Sequence, residues 1–342
     1  MLEIRAARAG GPTVLKPAKA EIPEPGPGQA LVKVAAVGVN FIDTYRRSGV
    51  YSVPFPHVPG SEGSGWVQQA PPGSDFVEGQ RVAWATSATG SYAEYAVVDA
   101  DRLLAVPESL GLDVAAALPL QGMTADYLVR SAYPVRPGHT VVIYAAAGGV
   151  GGLATQMALQ AGAHVIATIG GAAKIATVLA FGVKPADVID LGALADLTEE
   201  LPREVRARTQ DGAGADVVFD GVGRATFQAT LASLRPRGAA VLFGGTSGQV
   251  PPFDIQELNA HGSLYLTRPK LDDYTATHAE LTERAGRVFG EAAAGRLVVG
   301  IGGRFALESA AEAHRAIESG QTQGKLLLFP GDSTWAGEPG LA

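Results

Sequence analysis

The feature that most constrains this chain is a run of small residues, Ala145-Ala146-Ala147-Gly148-Gly149-Val150-Gly151-Gly152. It directly follows the apolar segment Thr140-Val141-Val142-Ile143-Tyr144 and opens a helix, read over Gly152–Gln160, rich in Ala, Leu and Met. A buried strand, a glycine-rich turn and a helix, in that order, begin a dinucleotide-type βαβ unit. Small residues let backbone amides approach a pyrophosphate, and the helix N-terminus offers free N–H groups and partial positive charge. Ala146 stands where the usual pattern has its first glycine, so the pattern reads A-x-G-x-x-G. A tight turn without a ligand is the bland alternative, and the order of elements downstream of the loop weighs against it.

Strands and helices alternate after this loop. His164–Thr168 reads as a strand, Ala173–Phe181 as a helix, Val188–Asp190 and Asp216–Asp220 as strands, Thr226–Leu234 as a helix, and Ala239–Phe243 and Ser263–Thr267 as strands. All-apolar strands alternating with helices imply a parallel sheet covered on both faces. Residues 1 to about 120 differ: short Val-rich runs are punctuated by Pro and Gly clusters such as Pro23–Gly28 and Pro71–Gly73, a β-rich module. Helices are predicted over Asp113–Leu118, with Asp113 as N-cap, over Met123–Tyr133, from about Asp273 to Gly295, and over Leu307–Ser319, with a strand at Lys325–Phe329. The fold class is α/β, a β-rich domain plus a doubly wound parallel sheet.

Composition narrows the chemistry. The length of 342 residues favours two domains. A net charge of 27 − 34 = −7 makes nucleic acid an unexpected partner. The absence of cysteine excludes disulfides, thiolate metal sites and a cysteine nucleophile. The six histidines, His57 in its proline-rich loop among them, show no metal-ligand spacing. The start lacks a signal-peptide pattern and the longest apolar run, Val141–Ala147, is far short of a membrane span, so a cytoplasmic location without membrane association is the expectation.

The end of the second strand selects the dinucleotide. NAD sites place an acid about 20 residues after the loop to bind the ribose 2′-hydroxyl. Here the segment reads Ala167-Thr168-Ile169-Gly170-Gly171-Ala172-Ala173-Lys174, with no acid. A carboxylate would repel a 2′-phosphate and Lys174 would attract one, which points to NADPH; a solvated lysine on a helix's first turn is the alternative for Lys174.

Three further segments, Gly38–Tyr51, Pro59–Val67 and Gly262–Pro269, together with the glycine loop, resemble the medium-chain dehydrogenase/reductase superfamily. Within it the similarity is to the zinc-independent, zeta-crystallin-like quinone oxidoreductases. The resemblance implies a GroES-like catalytic domain over 1–122, completed by 292–330, a Rossmann NADPH-binding domain over 123–291, and a flexible tail over 331–342. Cofactor and substrate would meet in a cleft between the domains. No metal is expected: the Gly-His-Glu motif of zinc members reads Gly60-Ser61-Glu62 here.

By the same resemblance Asn40, Asp43 and Tyr45 are the candidate catalytic residues, with Asn40 also beside the nicotinamide and Tyr45 or a water as donor to the acceptor oxygen. Purely structural roles stand beside these: a turn cap for Asn40, a helix start for Asp43, packing for Tyr45. Candidate cofactor contacts are Thr124 and Tyr127; Gly148, Gly149, Val150 and Gly151; Gly170, Gly171 and Lys174; Gly221; Phe243, Gly244, Gly245, Thr246 and Ser247; and Leu266, Thr267 and Arg268. Two positions depart from the family pattern, Leu191 for an adenine-packing Tyr and Gly320 for an Arg. The implied activity is metal-free hydride transfer from NADPH to a quinone. Reduction of activated C=C bonds in enones or alkenals, and a non-enzymatic NADPH- or RNA-binding role of the crystallin kind, are the alternatives. A homodimer is expected through the edge strand Ser263–Thr267.

Overall fold

A computed structural model describes residues 1–331. The contacts divide the chain into two units, Met1–Gln121 together with Thr275 onward, and Gly122–Tyr274. In chain order the first unit supplies strands β1 (Leu2–Ala6), β2 (Leu15–Lys19), β3 (Gln29–Val39), β4 (Glu62–Gln69), β5 (Arg81–Trp84), β6 (Tyr95–Asp99) and β7 (Leu104–Ala105). Helices α1 (Phe41–Ser48) and α2 (Leu112–Ala117) belong to it, and α3 (Pro119–Tyr127) runs on into the second unit. That unit carries β8 (Thr140–Ile143), α4 (Gly149–Gln160), β9 (His164–Ile169), α5 (Ile175–Ala180), β10 (Val188–Asp190), α6 (Leu197–Ala207), β11 (Ala215–Asp220), α7 (Phe227–Ser233), β12 (Leu234–Leu242), α8 (Gln256–Ala260) and β13 (Tyr265–Thr267). The chain then returns to the first unit as α9 (His278–Ala293), β14 (Ile301–Ala306), α10 (Ala310–Glu318) and β15 (Lys325–Phe329).

Strand β3 organises the first unit. Its Val and Ala side chains are buried along most of its length, so the run shows only weak alternation. It pairs antiparallel with β4, β6 and the late-arriving β15, where Leu326 faces Val39 and Leu328 faces Val37. The sheet reads β14-β15-β3-β4-β5-β7, with β6 also on β3. Its core includes Val32, Val37, Trp84, Leu326 and Leu328.

The second unit is an all-parallel six-stranded sheet of order β10-β9-β8-β11-β12-β13. With β8 taken as the first strand this is the doubly wound order 3-2-1-4-5-6. The order reverses between β8 and β11, so the loops after these two strands diverge and leave a crevice at their carboxyl ends.

Several boundaries shift from the sequence expectation. The expected division at 291/292 falls instead at Tyr274/Thr275. The helix between, α9, is held by first-unit groups: Arg102 donates to the Thr275 carbonyl at 2.7 Å, and the His278 ring lies 2.7 Å from the Asp101 carbonyl oxygen. The N-cap of α2 is Gly111, and Asp113 lies in the first turn, with its carboxylate accepting the Val114 N–H. Helix α9 starts at His278 and not near Asp273, because Thr277 and Glu280 form a reciprocal capping box. The expected tail over 331–342 lies, apart from Gly331, outside the described residues. Among the described residues no helix is long and apolar enough to cross a membrane.

Trp84 is fully buried and its indole N–H donates to Ser91 Oγ at 2.9 Å. Trp84→Ala should therefore cost about 3–5 kcal/mol of stability, read as a shift in the denaturant midpoint by circular dichroism. An unchanged midpoint would contradict this packing.

Candidate active site

The nucleotide side is built at the carboxyl ends of the second unit's strands. After β8 the chain turns sharply: Ala145 adopts φ 52°, Gly148 N–H donates to the Ala145 carbonyl at 2.8 Å, and α4 begins at Gly149 with Gly148 as its cap. Gly152 N–H is the first to reach back along the helix, to the Gly148 carbonyl at 2.8 Å. The amides of Gly149, Val150 and Gly151 therefore occupy the first turn, where a helix has no carbonyl of its own to offer them. Gly151 cannot carry a side chain, because a Cβ there would overlap the Ala145 carbonyl oxygen. Helix α4 starts three residues earlier than its apolar pattern indicates, so the glycines lie in the helix's first turn as well as in the turn before it.

The end of β9 supplies Gly170 and Gly171, and a Cβ on either would meet open space. The tight turn Ala172–Lys174 follows. Lys174 is half-buried, which lowers its pKa from the ordinary lysine value. No acidic side chain lies between Ile169 and Lys174. The nearest acid along the adjacent strand end is Asp190, whose Oδ1 accepts the Gly192 N–H at 2.9 Å.

On the other side of the strand reversal, Asp220 ends β11 fully buried. Its Oδ1 accepts the N–H groups of Val222 and Gly223 at 2.8 and 2.9 Å, and its Oδ2 accepts the hydroxyls of Thr226 and Thr230 at 2.9 Å each. Burial raises its pKa, and these bonds oppose the rise. The carboxylate thus shapes the Gly221–Gly223 turn. A Cβ on Gly221 would meet the Phe243 ring at 2.8 Å, and one on Gly244 would meet the Gly221 carbonyl oxygen at 2.5 Å. These two glycines let the loops after β11 and β12 touch. Ser247 bridges the same loops, accepting from Ala225 N–H at 2.9 Å and donating to the Val222 carbonyl at 2.7 Å.

Among the other expected contacts, Thr246, Thr267 and Arg268 are exposed, Gly245 and Leu266 are partly exposed, and Thr124 is buried. Tyr127 is buried and stacks on Tyr274 with ring centroids 4.5 Å apart.

The first unit brings Asn40 and Asp43 together. Asn40 caps α1 in position, but its amide turns inward: Nδ2 donates to Glu62 Oε1 at 2.8 Å and Oδ1 accepts from Lys325 Nζ at 2.8 Å. The Asp43 carboxylate accepts the Asn40 N–H at 3.0 Å and the Ser61 hydroxyl at 3.1 Å. Burial raises its pKa to about 6, opposed by the Asn40 N–H, Arg46, Lys325 and Ser61. Tyr92 OH lies 2.9 Å from His314 Nε2, and Arg47 Nη1 lies 3.1 Å from His314 Nδ1. Burial, helped by the Arg47 charge, lowers the His314 pKa to about 3, so the ring is neutral near pH 7. Tyr45 is half-exposed and packs edge-on against Tyr51, with centroids 5.5 Å apart. Arg46 donates to Ser61 Oγ at 3.0 Å.

Sequence reasoning singled out Asn40 and Asp43 but missed Glu62 and Lys325 as partners of Asn40, Tyr92 as a partner of Asp43, and His314 behind Tyr92. The available signal was Lys325 itself, a cation heading the apolar strand Lys325–Phe329.

Fold and loop define the dinucleotide-dependent medium-chain dehydrogenase/reductase architecture. The alcohol dehydrogenase GroES-like domain family matches residues 26–108, and the zinc-binding dehydrogenase family matches residues 149–277. The chain is 39% identical to a quinone oxidoreductase of Pseudomonas aeruginosa over 96% of its length and 99% of that protein. A mycobacterial protein, Rv1454c, solved in complex with NADPH, superposes with a TM-score of 0.92 at 41% identity, covering 96% of this chain and 100% of that one. The Escherichia coli quinone oxidoreductase complexed with NADPH gives 0.91 at 37% identity, with the same coverage. The chain belongs to the quinone oxidoreductase family of the medium-chain dehydrogenases/reductases.

Zinc does not suit the residues present. The chain has no cysteine, Ser61 stands in the histidine's place, and Glu62 is engaged by Lys325. Among the described residues no three His, Asp or Glu are grouped to hold a metal ion.

Asp43 gives a pH test. Its folded pKa lies above the ordinary 3.8, so between about pH 4 and 6 the native state holds more proton than the unfolded state. Stability from this group is present on the acid side and is lost as pH rises through 6, by about 3 kcal/mol. His314 acts in the opposite sense as pH falls, so the difference between parent and variant isolates Asp43. Across pH 4 to 7 the stability gap should move by about 3 kcal/mol in favour of Asp43→Asn, measured by denaturation at each pH. A gap independent of pH would refute the assignment.

Proposed function

We propose that this protein is an NADPH-dependent quinone oxidoreductase working without a metal. The observation that carries this reading is the match over nearly the whole chain to quinone oxidoreductases, one of them solved with NADPH. The geometry supports it. First-turn amides of α4 suit a pyrophosphate, and the end of β9 offers Lys174 and no acid to a 2′-phosphate.

When bound, NADPH supplies a hydride at its nicotinamide C4. The α4 amides and Lys174 hold the phosphates. Asp220 keeps the adjoining loop in shape, and Asn40, Asp43 and Tyr45 are the candidate groups for the reacting end. A quinone is already electron-poor, so it needs a hydrogen-bond donor at the developing oxyanion and no Lewis acid. Tyr45, or a water, is assigned that part. The protein is further assigned to the cytoplasm.

We also assign it a homodimeric state through β13, an edge strand whose Tyr265 is 68% exposed. Light scattering should give twice the chain mass, and a monomer at all concentrations would remove this assignment.

Purified protein should oxidise NADPH with a simple quinone, followed at 340 nm, at a rate unaffected by excess chelator. Faster turnover of alkenals than of quinones would favour the C=C reductase reading instead. Lys174→Ala should weaken NADPH binding about 10- to 100-fold, the value of one charge-assisted contact, and leave NADH binding unchanged. Equal weakening for both nucleotides would place Lys174 outside the 2′-phosphate site.

A further inference from the structure

Lys325 and Glu62 are both withdrawn from water, with side chains 1% and 0% exposed. Gly38 of β3 makes room for them, since a Cβ there would overlap Glu62 Oε1 and Lys325 Cε. Asn40 completes a closed triangle. The ammonium donates to Glu62 Oε1 and, at 2.8 Å, to Asn40 Oδ1, while Asn40 Nδ2 donates at 2.8 Å back to the same Glu62 oxygen. Glu62 Oε2 takes the Leu120 N–H at 2.7 Å.

The triangle leaves the Asn40 amide one orientation. Turned over, its NH2 would face an ammonium and its carbonyl a carboxylate, and both contacts would be repulsive. A buried ion pair seldom stabilises a fold better than apolar residues of the same volume, and in some proteins its role is to fix geometry. The second Nδ2 proton is only loosely engaged, with the Gly38 carbonyl 3.3 Å away. It is the donor capacity that a carboxamide such as that of nicotinamide would take up.

We propose that Lys325, paired with Glu62, is a positioning residue that fixes the direction of the Asn40 amide for the nicotinamide end of the cofactor. This rests on the reading in which the protein is an NADPH-dependent reductase with Asn40 at the reacting end. Lys325 and Glu62 touch neither cofactor nor acceptor themselves; they act through Asn40.

The test uses the full chain with NADPH and a simple quinone, comparing Asn40→Ala, Lys325→Met and Glu62→Gln/Lys325→Met. The double variant removes both charges, so no buried charge is stranded if Lys325→Met alone fails to fold. In every folded variant kcat should fall about tenfold or more, as expected of misplaced reactants, while Lys325→Met and the double variant keep their NADPH Kd within about twofold. The primary isotope effect on kcat with C4-deuterated NADPH should rise, a readout that loss of stability would not move. Adding Asn40→Ala to the double variant should cost nothing further. A double variant with parental kcat and isotope effect would overturn the proposal, as would losses that multiply with Asn40→Ala. Failure of the parent protein to oxidise NADPH would overturn the functional reading and this proposal together. An active parent with unaffected variants would overturn this proposal alone.

Discussion

A helix cannot satisfy the N–H groups of its own first turn, and the second unit depends on that constraint. In α4 the unsatisfied groups fall on Gly149, Val150 and Gly151, in a turn so tight that the Gly151 backbone packs against the Ala145 carbonyl. A side chain there would push α4 away from the end of β8. The strand order places this turn where the sheet's winding reverses, so the loops after β8 and β11 part. Asp220 then fixes the second loop through four donors: two backbone amides and two threonine hydroxyls. Buried carboxylates are tolerated when so fully bonded, and here the bonds run to the backbone of the loop being shaped.

The first unit solves a different problem. It buries two carboxylates, an ammonium, a guanidinium and an imidazole in one region, and each answers a neighbour. Asp43 takes the Asn40 amide and Ser61, Glu62 takes Lys325 and Asn40, and Arg47 takes Glu318 and lies against His314. With His314 neutral, the Arg47 charge falls to Glu318, which reaches solvent. The network ties α1 to β4, α10 and β15, elements far apart in the chain. A first domain cut after residue 121 would lack Lys325 and His314 and would leave Glu62 and Tyr92 without those partners.

The fold was legible because both sheets announce themselves by pattern, with apolar strands between helices in one unit and Val-rich runs between Pro and Gly clusters in the other. β15 matches its reading at both ends. What escaped was local chemistry that competes with periodicity. Helix α6 carries Pro202 inside it and went unread, and Thr277, not the acids before it, starts α9. The site was half legible. Asn40 and the glycine loop stand out in the sequence, but a lysine at position 325 and a glutamate at 62 become a pair only once β15 joins β3 beside β4. No local signal encodes that juxtaposition, and the wide spread of the six histidines hid the structural part taken by His314.

The two departures from the family pattern also acquire physical reasons. Leu191 packs against the apolar core of the second unit. Its side chain serves the fold there and offers no ring face to an adenine. Gly320 adopts φ 69° just beyond α10, a left-handed conformation in which an arginine would be strained. A ring stacked on adenine would hold either nucleotide alike, whereas a guanidinium would favour the one that carries a 2′-phosphate. On the proposed reading, discrimination between the two reduced nicotinamide nucleotides is left to Lys174. A single, half-buried ammonium acts through charge more than shape, so added salt should weaken that discrimination.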